Sequence, residues 1–326
     1  MKLLLPLAIL VLALFCASLL IGPAGLGTGD SLRALFTGEG GPVALVMQEI
    51  RLPRALLGLM IGAALGLAGA AMQGFLRNPL AEPGLIGISS SAALGAVIAL
   101  QTGLAAAFAL ALPLAALAGA AISCALLLAM AGPRGGALAL ILAGIAISAL
   151  SGALSALVLN LSPNPYAAAE IVYWMMGALS DRSMTHVWLA APFLLAGMAA
   201  LLTLGPGLDA LTLGEDAAAS LGIDLTRLRL VLVLGTALAI GAAVAVAGAV
   251  GFIGLVVPHL LRPLTGARPS RLLPAAALGG AAMLLAADIA TRLIAPERDL
   301  KLGVLTALVG APFFLHLIWK MRRAEA

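Results

Sequence analysis

The chain has 326 residues, of which 63% are hydrophobic and 10% charged, and its mean hydropathy is +1.15. These values lie far outside the range of soluble proteins and predict a polytopic membrane protein with almost no room for a soluble domain. The formal net charge of +4 is too small to indicate a nucleic-acid partner. Cys16 and Cys124 lie in separate apolar runs, which excludes a disulfide framework and a cysteine metal site.

Apolar runs long enough to cross about 30 Å of hydrocarbon follow one another along the chain. The first covers residues 3–21; a cleaved signal peptide is the alternative, since Lys2 supplies a charged start, but no soluble segment follows for it to export. Further spans are predicted at 55–76, 85–100, 104–130, 137–161, 187–204, 230–250, 272–294 and 302–319. The apolar segment 251–262 is too short to span alone, so it either takes part of the preceding run or is a broken helix. We therefore predict an all-α membrane protein of about ten transmembrane helices, forming one domain over residues 1–326.

The second predicted span carries a stripe of small residues at four-residue spacing. Its members are Gly58, Gly62, Gly66, Ala70 and Gly74. Small residues on one face let another helix approach closely in a membrane, so this stripe predicts a packing contact.

An internal echo indicates two related halves. Residues 62–70 and 241–249 are identical at six of nine positions. They fall on the second and seventh spans, which run in opposite directions when ten spans are present, as inverted repeats do. We therefore expect a 5+5 inverted repeat.

The fifth predicted span carries Ser148, Ser151 and Ser155 on one helical face. Serines in transmembrane helices commonly bond to their own backbone or join neighbouring helices. Lining of a transport path is the alternative interpretation.

The distribution of basic residues predicts the orientation of the chain. Of the 18 lysine and arginine residues, eleven fall on one side of a ten-span arrangement and seven on the other. The richer side is predicted to be cytoplasmic. It contains both termini and the loop 205–229.

That loop is the longest polar interruption in the second half, and it predicts a short capped helix. Thr212 and Glu215 have the spacing of a capping box, and Gly222 suits a left-handed C-cap about nine residues on. An apolar stripe at four-residue spacing is formed by Leu213, Ala217 and Leu221. An amphipathic helix of this kind fits a groove on a cytoplasmic partner, whereas a solvated loop is the alternative.

The sequence offers little chemistry. None of the three lysines follows a glycine, so there is no P-loop. Asp288 is the one acid well inside a predicted span, and Arg292 lies four residues later, which favours an ion pair over a proton relay. We therefore predict no enzyme activity, cofactor or metal site. The alternatives are an ion-coupled secondary transporter, for which Asp288 is the one candidate site, and a non-transporting membrane assembly subunit.

Six segments, in this order, resemble the permease family of type II ATP-binding-cassette (ABC) importers for ferric chelates, haem and cobalamin. They are residues 51–54 (RLPR), 73–84 (including NPLAEP), 214–216 with 221–222, 251–259 (GFIGLVVPH), 287–292 and 310–313 (GAPF).

The resemblance implies a permease in the bacterial inner membrane, acting as a homodimer with two cytoplasmic ATPases and a periplasmic binding protein. Its cargo is then a ferric siderophore, haem or cobalamin. By similarity, coupling to the ATPase falls on Gly214, Glu215, Asp216, Leu221 and Gly222, and a cytoplasmic gate on Asn78 and Leu80. The fifth span is expected to line the path, with Ser148, Ser151 and Ser155 on it, and Arg51 and Arg292 are expected to receive carboxylates of the binding protein. Ala137 and Leu138 depart from the hydroxyl residues of the family's cobalamin member.

Overall fold

The structure, a computed structural model, describes residues 3–22, 24–38, 41–108, 110–132, 136–162, 165–295 and 299–325. Every regular element within these residues is helical, because in hydrocarbon a helix satisfies all its backbone hydrogen bonds within one segment. The first half contains α1 (Leu4–Leu20), α2 (Thr28–Thr37), α3 (Pro42–Leu45), α4 (Leu52–Phe75), α5 (Ile88–Gln101), α6 (Leu104–Ala107), α7 (Ala111–Ala131) and α8 (Ala137–Asn160). The second half contains α9 (Pro165–Met175), α10 (Met184–Leu202), α11 (Gly205–Leu211), α12 (Glu215–Ser220), α13 (Leu225–Ala247), α14 (Ile253–Leu261), α15 (Pro269–Ile294) and α16 (Leu302–Glu325).

Among the described residues, six helices are long and apolar enough to cross a membrane. They are Pro42–Phe75, in which a π-turn joins α3 to α4, and α7, α8, α10, α13 and α15. Shorter apolar helices are α1, α5 and the Leu302–Leu317 part of α16. Each predicted span contains one of these helices, which confirms the all-α membrane class. The predicted basic turn at Arg134 lies outside the described residues.

The glycine stripe on α4 makes a close helix contact, as predicted. A methyl group on Gly62 or Gly66 would overlap the backbone of α15 at Gly280 and Ala276. On another face of α4, a methyl group on Gly69 would overlap the backbone of Gly254 in α14. Backbones at this distance gain dispersion contacts over their whole length, and any side chain at these glycines must separate them.

The segment 251–262 is a broken helix, as one of the two sequence interpretations expected. α13 ends at Ala247, and the chain then runs without helical structure to α14, which has nine residues. Gly248 and Phe252 have positive φ, of 70° and 68°. A non-glycine residue in this region is strained, so the surrounding structure must hold Phe252 in place.

Candidate coupling, gate and docking sites

The loop 205–229 folds as two short helices, α11 and α12. The predicted capping box is wrong: the Thr212 hydroxyl donates to the carbonyl oxygen of Asp209 at 2.6 Å, back into α11. Bonding of a threonine hydroxyl to the carbonyl three residues earlier is a common local competitor of capping. Gly214, with φ of 106°, precedes α12 without a side-chain cap, and α12 has six residues instead of about nine.

The C-terminal end of α12 agrees with the prediction. Gly222 has φ of 84°. Its N–H donates to the carbonyl of Ala219 at 2.9 Å, and the N–H of Ile223 donates to that of Ala218 at 3.1 Å. This is a Schellman motif, which stops the helix at Gly222.

The residues of the predicted apolar stripe are not covered, but Leu213 precedes α12 and Leu221 follows it. The side chains of Leu213 and Leu221 are 70% and 64% exposed, and Ala217 between them is half-buried. Ala218, on the opposite face, is completely buried against the subunit. The short helix therefore sits on the permease by its small residues and presents two leucines outward.

Asp209 holds α11 to the first turn of α15. Its carboxylate accepts hydrogen bonds from the Ser270 N–H (2.8 Å), the Ser270 hydroxyl (2.6 Å) and Nε of Arg268 (2.9 Å). Burial alone would raise the pKa of Asp209, but the bonds from Ser270 and Arg268 outweigh it and hold the pKa below its ordinary value. Sequence reasoning missed this residue, because its partners lie about sixty residues away.

We expect Asp209→Ala to lower the Tm of the purified permease at neutral pH. A carboxylate with a depressed folded-state pKa contributes stability above its unfolded pKa and loses it as pH falls through the folded value. The Tm difference between wild type and variant should therefore shrink as pH falls from neutral through that value. The exposed Asp216→Ala is the control. A Tm difference independent of pH would contradict the assignment.

The predicted gate residues lie in the turn after α4. The Asn78 side-chain oxygen accepts from the Leu80 N–H at 2.9 Å, which is an Asx-turn. Asn78 is exposed and Leu80 half-buried. In the last turn of α4, Gly74 faces the Leu208 side chain of α11, so this turn and the loop 205–229 share one end of the subunit. Sequence reasoning missed the two polar residues that flank this turn, Gln73 and Glu82.

Two of the three predicted path serines lie in helix packing. The hydroxyls of Ser151 and Ser91 are 2.8 Å apart, joining α8 to α5. The Ser155 hydroxyl donates to the Ser151 carbonyl at 2.8 Å. Both are 5% exposed; within the subunit Ser151 joins neighbouring helices and Ser155 bonds to its own backbone, whereas Ser148 is half-exposed.

The docking role of Arg51 stays a prediction, and within the subunit its side chain has a structural use. Arg51 is 4% exposed, and its guanidinium donates to the carbonyls of Leu19 (3.0 Å), Leu20 (2.9 Å) and Ala24 (2.8 Å). These include free carbonyls at the C-terminal end of α1, where a positive charge also complements the helix dipole. The sequence could not show this use, because the carbonyls of α1 lie more than thirty residues away.

Arg292 is used in the same way, and its docking role likewise stays a prediction. It is 9% exposed and donates to the carbonyls of Ser18 (2.8 Å) and Ile21 (2.6 Å) and to the Ser18 hydroxyl (2.7 Å). Two arginines, one from α15 and one from the π-turn, thus cap one helix end within the subunit.

Asp288 forms the predicted ion pair and a second one. Its carboxylate lies 2.9 Å from Nη2 of Arg292 and 2.9 Å from Nη2 of Arg54, and its side chain is 1% exposed. A carboxylate held between two arginines is fully neutralised and inaccessible. Asp288 therefore offers no site for a coupling ion.

The helical membrane fold defines a polytopic membrane protein, and the broken helix α14 and the outward leucines that flank α12 agree with a transport permease. Residues 10–320 match the FecCD transport family, and the chain belongs to that family. It is the permease subunit of an ABC importer and not an enzyme, since ATP hydrolysis resides in a separate ATPase subunit.

Similar proteins include import permeases with different cargoes. The chain is 40% identical over 321 residues to the vitamin B12 import system permease of Salmonella typhi, covering 98% of this chain and 95% of the relative. It is 39% identical over 316 residues to the Fe(3+)-citrate import system permease YfmE of Bacillus subtilis, covering 96% and 94%. A solved metal-chelate type ABC transporter in an inward-facing conformation matches with a TM-score of 0.87 at 32% identity, covering 98% and 99%.

Proposed function

We propose that this permease carries an iron chelate (a ferric siderophore or haem) or cobalamin from periplasm to cytoplasm. The observation that carries the proposal is the uncovered leucine pair that flanks α12, which offers a separate ATPase a contact, while Asp288 is closed to a coupling ion. The ion-coupled alternative lacks its one candidate site. A membrane assembly subunit that does not transport needs no contact with an ATPase, so this alternative does not account for the exposed leucines.

The cargo is to be decided by experiment, because vitamin B12 and ferric citrate relatives match at nearly equal identity. Aromatic residues make up 4% of the chain and charged residues 10%. Such a passage offers few groups to hold a polar or aromatic chelate, which supports selectivity in the periplasmic binding protein.

We further propose ten spans with both termini in the cytoplasm. Contacts between loops support it. At one end, Arg268 pairs with Asp209 of α11, and Leu3 and Leu4 border a groove that Ser270 and Arg271 also line. At the other end, the carbonyls at the C-terminal end of α1 accept hydrogen bonds from Arg51 and Arg292. These groupings match the two sides expected for ten alternating spans.

A 5+5 inverted repeat is part of this proposal. One half consists of α1, α4, α5, α7 and α8, and the other of α10, α13, α14, α15 and α16, paired in that order. Contacts that a helix of one half makes with the other half are then repeated by its counterpart. α4 packs on α15 and on α14, and α13 packs on α7 and on α5. This correspondence fails for α1 and its counterpart α10. α1 packs on α15, whereas α10 packs on α13 and α4.

The working unit is proposed to be a homodimer with two ATPases and one binding protein. Among the described residues, α8 has a broad uncovered face that includes Leu142, Ile145 and Leu150, each more than half exposed. We propose that this face, with Ser148 at its border, lies toward the dimer axis and lines the path. Ser151 then positions α8 from behind by joining it to Ser91 of α5, and Ser155 bonds to the backbone of its own helix.

Thiol labelling tests the topology. In a background without Cys16 and Cys124, Ser220→Cys should resist an impermeant thiol reagent in intact spheroplasts, and Glu170→Cys should react. Both positions are exposed, so membrane sidedness decides the result. Permeabilised spheroplasts, in which both should react, are the control. Labelling of position 220 from outside would overturn the ten-span arrangement.

Reconstitution tests the function. Proteoliposomes with the permease, its ATPase and its binding protein should take up one of radiolabelled cyanocobalamin, ferric citrate, ferric siderophore or haem in an ATP-dependent way. Uptake driven by an ion gradient without ATP would overturn the importer mechanism. Uptake of none of the four by the active complex would overturn the cargo class.

A further inference from the structure

The turn with Asn78 and Leu80 is bracketed by the buried Gln73 and the partly buried Glu82, which bind α14 and the residue directly before it. Gln73 lies in the last turns of α4, before the turn, and Glu82 lies just after it. The backbone partners of Gln73 lie 181 and 182 residues away in sequence, and the backbone partner of Glu82 lies 170 residues away. These hydrogen bonds therefore hold both ends of the turn next to α14.

Gln73 makes the tie on the α4 side. It is completely buried, and its amide nitrogen donates to the carbonyl of Leu255 at 3.2 Å and more weakly to that of Gly254 at 3.5 Å. Its amide oxygen accepts from Nη2 of Arg262 at 2.8 Å, at the far end of α14. One side chain thus contacts both ends of the short helix, and donor and acceptor are both satisfied, as burial requires.

Glu82 makes the tie on the other side of the turn. Its Oε1 accepts from the backbone N–H of Phe252 at 2.7 Å, directly before α14 begins. Phe252 is the strained residue with φ of 68°, so the carboxylate holds the backbone at the break itself. The carboxylate borders a cavity of about 130 Å³ that Ser89 and Gly251 also line, and burial raises the pKa of Glu82.

Packing reinforces the two ties. A methyl group on Gly254 would lie 2.8 Å from Cδ of Pro83, the residue after Glu82. On its other side, Gly254 meets Gly69 of α4. The first turn of α14 is therefore enclosed by the two segments that flank the turn, and it has little room to shift relative to them.

We propose that Gln73 and Glu82 are positioning residues that join the Asn78–Leu80 turn to α14, so that the turn and the broken helix move as one unit during transport. This inference rests on the proposed function, in which that turn is the cytoplasmic gate. α14 also packs on α15, whose first turn binds Asp209 of the coupling loop. A displacement of the coupling loop thus has a continuous route to the gate through α15 and α14.

The test follows the gate by thiol accessibility. Leu80→Cys is introduced without Cys16 and Cys124, and its labelling rate is measured in the reconstituted complex, nucleotide-free and trapped with ATP and vanadate. With Gln73 and Glu82 intact, the labelling rate should differ by about tenfold or more between the two states. Coupling between two sites commonly changes an equilibrium constant by about 5–150-fold, and the accessible fraction of the gate should change accordingly. Glu82→Gln keeps an acceptor for Phe252 and should retain the difference. Glu82→Leu removes the acceptor and should reduce it to less than about twofold while ATP hydrolysis continues.

Ser89→Ala changes the same cavity without touching the ties and should behave as wild type. Gln73→Leu removes the hydrogen bonds on the α4 side of the turn. It replaces Glu82→Leu if the Glu82→Leu complex is not recovered intact. An undiminished state difference in both leucine variants would overturn the joint movement. A Leu80→Cys rate that never responds to nucleotide, even with both residues intact, would instead overturn the gate assignment in the proposed function.

Discussion

Leu221→Asp should separate the permease from its ATPase while leaving the permease folded. The Leu221 side chain is 64% exposed on the subunit, so an aspartate there is solvated until the ATPase binds. In the complex the carboxylate would be enclosed in an apolar groove, and an unpaired charge costs several kcal/mol to desolvate. Co-purification of the ATPase should therefore fall by more than tenfold, with no change in the Tm of the free permease.

Ser220→Asp is the matched control for this variant. It adds the same charge one residue away, on the same short helix but off the Leu213–Leu221 stripe. Its ATPase association should stay within a few-fold of wild type. Normal coupling in Leu221→Asp, measured as binding-protein-stimulated ATP hydrolysis, would show that α12 is not the contact.

Asp288→Ala should strongly destabilise the whole subunit. It leaves Arg54 and Arg292 close together without the carboxylate that both contact at 2.9 Å. Removing one partner of a buried ion pair costs about 3–5 kcal/mol, because the remaining charge stays desolvated. The yield of folded protein and its Tm in detergent, followed by size-exclusion chromatography after heating, should both fall sharply.

Asp30→Ala, at an exposed acid on α2, should leave yield and Tm unchanged. Asp288→Asn keeps the shape and should be intermediate. A proton relay gives the opposite pattern: Asp288→Asn would then keep full thermal stability and lose transport. Arg51→Glu belongs with the destabilising variants as well, since it places a carboxylate against the carbonyls of Leu19, Leu20 and Ala24.

The sequence predicted those features that depend on local length and spacing. Hydropathy located the long apolar helices of the described residues, and the shortness of the 251–262 run indicated the break before α14. The glycine stripe predicted a close helix contact, although not that α15 is its partner. The left-handed cap at Gly222 was also predictable, because glycine is the residue that adopts this conformation without strain.

Most of what the sequence did not indicate concerns polar groups whose partners come from elsewhere in the chain, and Thr212 is the exception. Arg51 and Arg292 were assigned to an external partner, yet the carbonyls that use them belong to α1, which lies 32 and 274 residues away. Asp209, Gln73 and Glu82 were missed for the same reason. Thr212 was assigned forward to α12, whereas the competing carbonyl of Asp209 lies three residues behind.

The bridge between Arg54 and Asp288 has a consequence for the synthesis of the protein. The two residues are separated by 234 positions, and Arg54 lies in one of the first helices to enter the membrane. At about 5–20 residues per second, the ribosome needs roughly 10–50 s to deliver Asp288 after Arg54. During that interval the arginine has no carboxylate partner from α15, and the glycine face of α4 has no α15 to cover it. The nascent permease therefore passes through a half-assembled state of that duration, before α15 arrives to cover α4 and to pair with Arg54.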